Sequence, residues 1–117
     1  MSLQITRTII VKEQDIDDIM VTALEGGINY WCDGVVITSN PANKEYASEA
    51  IAYGGELRLY EIDGSQFLLV RNMILRGIDK AMDHFKYDSF EQFMDEHDAT
   101  TADVVVQFAL FDKIVYG

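Results

Sequence analysis

Residues 15–38, "DIDDIMVTALEGGINYWCDGVVIT", hold a helix pattern that runs through two glycines into a strand pattern. Its first half has apolar residues at helical spacing: Ile16, Ile19, Met20, Ala23 and Leu24. Three aspartates crowd the first turn, where carboxylates favour the helix dipole. Gly26 stands where a left-handed residue commonly ends a helix. We predict a helix through residues 16–24, then a strand or a short hairpin about Asp33-Gly34.

Two further stretches have the alternation of strands. Residues 3–12, "LQITRTIIVK", place apolar residues mostly on one face, which predicts a strand with one buried side. Residues 56–70, "ELRLYEIDGSQFLLV", contain two alternating runs around Asp63-Gly64, a strong hairpin signal. Residues 39–55, "SNPANKEYASEAIAYGG", are predicted to form a loop with a short helix from Lys44 to Tyr53, which ends at Gly54-Gly55.

The second half of the chain is predicted to be mostly helical. An apolar stripe within residues 73–85 predicts a long helix, and Ser89 with Gln92 forms a capping box for a short one. Thr100 and Asp103 resemble a second capping box, directly before residues 104–111, "VVVQFALF". Three successive valines could equally form a strand, but the capping pattern favours a helix. That helix would be apolar nearly all round, hence buried centrally or against a partner chain.

Together these patterns predict one α+β domain spanning residues 1–117. We expect an antiparallel sheet of about four strands with two hairpins, covered by three main helices. The helices present more apolar surface than one thin sheet can cover, which predicts a homo-oligomer, with a dimer as the simplest form.

The net charge of −11 is unevenly distributed. Residues 13–25 carry −5 and residues 87–117 carry −6, whereas residues 71–86 carry +2. Such a surface repels a nucleic-acid duplex, so we expect no direct duplex binding. No apolar run reaches the length of a membrane span and no signal peptide is apparent, which predicts no membrane partner. One cysteine suits a reducing interior, so we expect a cytoplasmic protein.

The residues that could carry catalysis or bind metal lack the necessary spacing. Cys32 lies beside Trp31 in an apolar stretch, and neither His84 nor His97 pairs with it in the sequence. The acidic clusters match neither a calcium loop nor a zinc site. We therefore predict no catalytic residue, no metal site, no cofactor and no enzymatic activity.

The stretch "EGGINYW" offers bare backbone beside two flat rings that can form hydrogen bonds. One interpretation is a pocket for a small anionic, nucleotide-like ligand. Tyr30 or Trp31 would stack the base, and Asn29 and the backbone of Gly26 and Gly27 would form hydrogen bonds. The phosphate would be bound by one of three arginines, Arg58, Arg71 or Arg76. Gln107 would also face the cavity. The alternative is a helix end followed by aromatic residues of the core.

Gln107 is the one strongly polar residue in "VVVQFALF", and Asp103 lies on the same helix face at i, i+4. A polar side chain in such surroundings needs a partner. Gln107 therefore either bonds a neighbouring segment or faces a cavity or a subunit seam.

Four segments resemble a family of small phage and prophage proteins from Gram-positive bacteria: "DIMVTALEGGINYWCD", "GGELRLYE", "ILRGID" and "DATTADVVVQFALFDKIVYG". The resemblance spans nearly the whole chain and is most specific at residues 25–27, 29–31 and 103–117. The family usually carries Gly-Glu where this chain has Asp112-Lys113, and often a small residue after the double glycine. No activity transfers residue by residue.

The resemblance implies an accessory protein that counters host antiviral defence. Such a protein would sequester a nucleotide-like signal, as anti-Thoeris and anti-CBASS proteins do. Alternatively, it would be an acidic nucleic-acid mimic that blocks a nuclease or another DNA- or RNA-binding host protein, as some anti-CRISPR proteins do. The mimic requires that the two acidic segments lie side by side. A structural or replication-module role in the phage is a third possibility.

Overall fold

The computed structural model describes Leu3 and residues 8–117. Within that part of the chain, five α-helices and a π-helical turn accompany one three-stranded antiparallel sheet. The elements are α1 (Glu13–Thr22), the π-turn (Ala23–Gly27), β1 (Cys32–Ser39), α2 (Ala47–Ala52), β2 (Glu56–Glu61), β3 (Gln66–Val70), α3 (Arg71–Phe85), α4 (Phe90–Glu96) and α5 (Ala99–Phe111). The α+β class is confirmed, but the described residues form three strands and five helices where about four strands and three main helices were predicted.

The helix that begins with α1 does not end at Gly26. It continues through the π-turn, where the Ile28 N–H donates to the carbonyl oxygen of Ala23 at 3.0 Å. Gly26 has no positive φ, so its predicted left-handed conformation is wrong. Gly27 has a packing role instead, because a Cβ there would lie 2.8 Å from the carbonyl oxygen of Ala99 in α5.

The sheet has the order β1-β2-β3, and both strand pairs are antiparallel. The hairpin at Asp63-Gly64 is confirmed. Its turn is closed by a hydrogen bond that the Gly64 N–H donates to the Glu61 carbonyl oxygen, and Gly64 has a positive φ of 94°. The hairpin considered at Asp33-Gly34 does not form, because that pair lies within β1, beside an irregularity in its pairing with β2.

One face of the sheet is buried and the other is partly open. Ile37, Leu57 and Leu69 lie in register on the inner face and join the hydrophobic core. Val36 and Leu68 flank Arg58 on the outer face, and both are about half exposed. This alternation is the period-2 burial that the sequence of β2 predicted.

The strand predicted over residues 3–12 lies partly outside the described residues. Residues 8–12, which the structure describes, are not in a strand. Ile9 and Ile10 are exposed, and Val11 packs against the core.

Helices α3 and α5 pack closely at Gly77, where a Cβ would collide with the carbonyl oxygen of Val105. Helix α5 confirms the helical interpretation of "VVVQFALF", and residues 101–107 are all buried within the chain itself. Its N-cap is Asp98, which accepts the Thr101 N–H, so the capping pair predicted at Thr100 and Asp103 is wrong. The predicted cap of α4 is confirmed, since Ser89 accepts the Gln92 N–H.

Among the described helices, none is long and apolar enough to cross a lipid bilayer.

Candidate functional site

Asp103 joins the two aromatic residues of the "NYW" stretch to α5. The indole Nε1 of Trp31 donates to Asp103 Oδ1 at 2.8 Å, and the Tyr30 hydroxyl donates to Oδ2 at 2.5 Å. Asp103 is 6 % exposed, so these bonds form largely out of water. The carboxylate therefore fixes the turn before β1 onto the N-terminal half of α5.

Gln107, one helical turn further on, connects Asp103 to the C-terminal segment. Its Nε2 donates to Asp103 Oδ1 at 2.9 Å, while its Oε1 accepts the N–H groups of Val115 and Tyr116 at 2.7 and 2.8 Å. Gln107 is fully buried. Of the alternatives left open by the sequence, the structure shows the first: Gln107 bonds a neighbouring segment.

The Tyr116 ring covers the indole of Trp31. The two rings are stacked with centroids 5.1 Å apart and planes 2° apart. The Tyr116 hydroxyl donates to Glu61 at the end of β2. We call these five residues the Trp31 network: Tyr30, Trp31, Asp103, Gln107 and Tyr116.

The pKa values of both tyrosines reflect these carboxylate partners. Donation to Glu61 is the main cause that raises the pKa of Tyr116 to about 12. Burial and donation to Asp103 raise the pKa of Tyr30 to about 12 as well. Both phenols therefore stay protonated well above neutral pH and keep donating their hydrogen bonds.

This geometry determines which ring faces and hydrogen-bonding groups of Trp31 and Gln107 are free to contact a ligand. Trp31 is 2 % exposed, with Tyr116 on one ring face and its N–H already bonded. Gln107 has its amide oxygen and nitrogen engaged inside the protein. The stacking role predicted for Trp31 and the cavity-facing role predicted for Gln107 therefore do not fit the structure, and both side chains belong to the core.

Tyr30 and the double glycine do meet at the surface. Gly26, Gly27, Tyr30 and Thr100 line a cleft of about 460 Å³, with Asp103 on its wall. The Tyr30 side chain is 51 % exposed. Asn29 is exposed and lines a separate depression beside Cys32.

The three arginines predicted to meet a phosphate lie elsewhere. Arg71 Nη1 donates to the carbonyl oxygen of Ala52 at 3.0 Å, and Arg76 Nη2 donates to that of Ala109 at 2.7 Å. Arg58 is on the outer face of the sheet. None of the three lines the cleft beside Tyr30, so the positions of these residues do not assemble the predicted phosphate site.

Cys32 is buried, and this burial raises the pKa of its thiol, which disfavours the nucleophilic thiolate. His97 is the C-cap of α4, and its Nδ1 lies 2.7 Å from the Met94 carbonyl oxygen. Within residues 8–117, no group of three or more His, Cys, Asp or Glu side chains could hold a metal ion.

Carboxylates line both sides of α1. Asp15 faces Glu91 and Asp95 of α4 across a groove of about 430 Å³, the α1–α4 groove. Asp17 and Glu25 face α2 across a groove of about 500 Å³, the α1–α2 groove. The sequence showed these charges, but their adjacency depends on how α4 returns beside α1, which the pattern of residues does not encode.

Comparison with protein-family models, with curated proteins and with solved structures finds no match for this chain.

Proposed function

We propose that this chain is a non-enzymatic accessory protein of the phage or prophage type that binds a basic surface of a host protein through carboxylates around α1. The observation that carries the proposal is the α1–α4 groove, which brings residues of the two most acidic segments together. Side-by-side carboxylates are what a nucleic-acid mimic requires. A nuclease or another DNA- or RNA-binding protein is the partner class with matching charge.

The carboxylates around α1 have no cationic partners in the described part of the chain. There, the one ion pair joins Lys80 to Asp112, outside both grooves. Of the lysines and arginines that the structure describes, only Lys12 lines either groove. Concentrated charge of one sign raises the free energy of the folded state, and a cationic partner relieves that repulsion and is steered toward it.

The test is competition for nucleic acid. The chain is immobilised, host proteins are captured at low salt and released by salt, and each captured protein is purified. Its binding to labelled nucleic acid is then titrated with the free chain. We expect wild-type chain to displace the nucleic acid, with an effect that weakens steeply as ionic strength rises.

A pair of matched variants makes this test specific. Glu91→Gln with Asp95→Asn removes two carboxylates from the α1–α4 groove, and Asp79→Asn with Asp83→Asn removes two from α3. We expect the first variant to compete less well and the second to compete like the wild type. Equal inhibition by both variants, or failure of every captured protein to lose nucleic acid, would contradict the proposal.

A second function has one observation in its favour: the half-exposed Tyr30 ring borders the 460 Å³ cleft beside the bare backbone of Gly26. In this version the chain sequesters a small nucleotide-like ligand, and Tyr30 stacks the base. Thermal stabilisation by a panel of cyclic nucleotides tests it. We expect Tyr30→Ala to abolish the shift, and absence of any shift in the wild type counts against it.

Self-association is a further part of the proposal. The apolar surface of α5 is covered inside the chain, so the outer face of the sheet is the better candidate interface, with Val36 and Leu68 exposed on it. Light scattering over a wide concentration range tests for a dimer. We expect Val36→Ser with Leu68→Ser to give a monomer.

A further inference from the structure

The α1–α2 groove combines an apolar floor with an acidic rim. Val21, Leu24 and Ala47 supply the apolar side chains, while Asp17, Glu25 and Glu49 supply the carboxylates. Tyr46 stands at the edge with 61 % of its surface exposed. An exposed apolar strip bordered by charge of one sign is typical of a surface that binds another molecule.

The groove continues into a second depression of about 530 Å³. The two share Leu24 and Ala47, and the second extends to Asp33 and Val35 at the start of β1. Among the described residues, no lysine or arginine lines either part. Apolar side chains and carboxylates therefore line both depressions, so the surface available to a partner is larger than the α1–α2 groove alone.

Asp17 gives this groove a buried acceptor without a donor. Its Oδ1 has no access to water and no hydrogen-bond partner among the described residues. Its other oxygen, Oδ2, is 3.4 Å from Gln14 Nε2. An unpartnered buried carboxylate oxygen is costly to the fold, and the charge that Asp17 keeps adds to the negative potential of the groove.

We infer that the α1–α2 groove binds a short amphipathic basic segment of a partner protein, with its apolar residues on the floor and its Lys or Arg side chains on the rim. Charge complementarity selects this occupant, because the charged side chains that line the groove in residues 8–117 are all acidic. An arginine would also stack on the exposed Tyr46 ring. The segment would bind as an amphipathic helix whose apolar face packs into the groove.

This inference rests on the proposed function and names the chemistry of the partner's contact segment. It requires direct binding of a peptide, without nucleic acid. The probe is a fluorescent amphipathic peptide of about 15 residues, built from leucine and lysine at helical spacing and long enough to form a helix. A peptide of the same composition with its order scrambled, and one with glutamate in place of lysine, are the matched controls.

Binding is measured by fluorescence anisotropy and mapped by NMR shifts of the groove residues. We expect the amphipathic peptide to bind and to shift the amide signals of Leu24 and Ala47. Glu25→Gln with Glu49→Gln should weaken binding about tenfold, and Val21→Ser should weaken it as well. Asp79→Asn with Asp83→Asn, which lie on α3, should leave it unchanged.

Three results would overturn the inference. Equal binding of the scrambled peptide would show charge attraction without a groove. Equal affinity of the groove and α3 variants would place the peptide elsewhere, and binding of spermine in the groove without the peptide would make the occupant a small cation. If the peptide binds as expected while no nucleic-acid-binding protein is inhibited, this inference stands and the proposed function fails.

Discussion

The Trp31 network and the α1–α2 groove both contain carboxylates among apolar side chains, yet they differ in how those carboxylates are satisfied. Asp103 accepts three hydrogen bonds from within the chain, from Tyr30, Trp31 and Gln107. Asp17 is left with a buried oxygen that has no donor among the described residues. The hydrogen bonds of Asp103 therefore belong to the folded core, whereas Asp17 keeps a charge that no bond to its Oδ1 within the described residues accounts for.

The largest expected effect is that of Asp103→Ala. The substitution leaves the buried indole N–H of Trp31 without an acceptor and removes the carboxylate acceptor of Tyr30 and Gln107. We expect the free energy of unfolding to fall by about 3 kcal/mol, measured by urea denaturation. Asp79→Ala, on the exposed side of α3, is the control and should change it by less than about 0.5 kcal/mol. A similar small loss for both would show that the network does not stabilise the fold.

The next effect distinguishes the two adjacent glycines. A Cβ at Gly27 would meet the carbonyl oxygen of Ala99, so we expect Gly27→Ala to cost about 1–3 kcal/mol by pushing α5 away. A Cβ at Gly26 would meet nothing within 4 Å, so Gly26→Ala should be neutral or stabilise by up to about 1 kcal/mol. Urea denaturation of both variants checks this, and a reversed order would contradict the close approach of the π-turn to α5.

Alkaline pH should weaken the Trp31 network selectively. The pKa values of Tyr30 and Tyr116 are about 12 in the folded protein against about 10 when unfolded. Their contribution is therefore fully present below pH about 10 and is lost as pH rises toward about 12. Urea denaturation across this range should show a steeper fall in stability for the wild type than for Tyr116→Phe. Parallel curves would show that Tyr116 does not lose a hydrogen bond on ionisation.

Local patterns predicted most of the fold. Helical spacing identified α1 and α3, and Asp-Gly with alternation identified the β2–β3 hairpin. Helix α5 was predicted correctly, although the capping pair that favoured it is not the one observed. The π-turn was missed because a double glycine after a helix usually signals its end. The true cap at Asp98 was missed because Thr100 and Asp103 match the same pattern two residues later.

The candidate site was less predictable because it depends on contacts far apart in the chain. The i, i+4 spacing placed Asp103 and Gln107 on one face, but their partners Trp31 and Tyr116 come from segments that are far apart in the sequence. Aromatic residues after paired glycines are compatible with either a pocket or a core. Only the stacked Tyr116 ring and the indole hydrogen bond decide for the core at Trp31.

The smallest expected effect on stability is that of Asp17→Asn. This substitution also tests most directly whether the Asp17 carboxylate serves binding, in contrast to the Asp103 carboxylate, which serves folding. The substitution removes the charge of a residue that lines the groove and whose Oδ1 has no partner among the described residues. It lies beyond the first turn of α1, so little helix-dipole stabilisation is lost. We expect unfolding free energy to stay unchanged or rise by up to about 1 kcal/mol, while affinity for the leucine-lysine peptide falls. Asp18→Asn, whose exposed carboxylate accepts a bond from Gln14, is the matched control and should affect the peptide less. A carboxylate kept for folding would show the opposite pattern at Asp17, with lower stability and unchanged peptide binding.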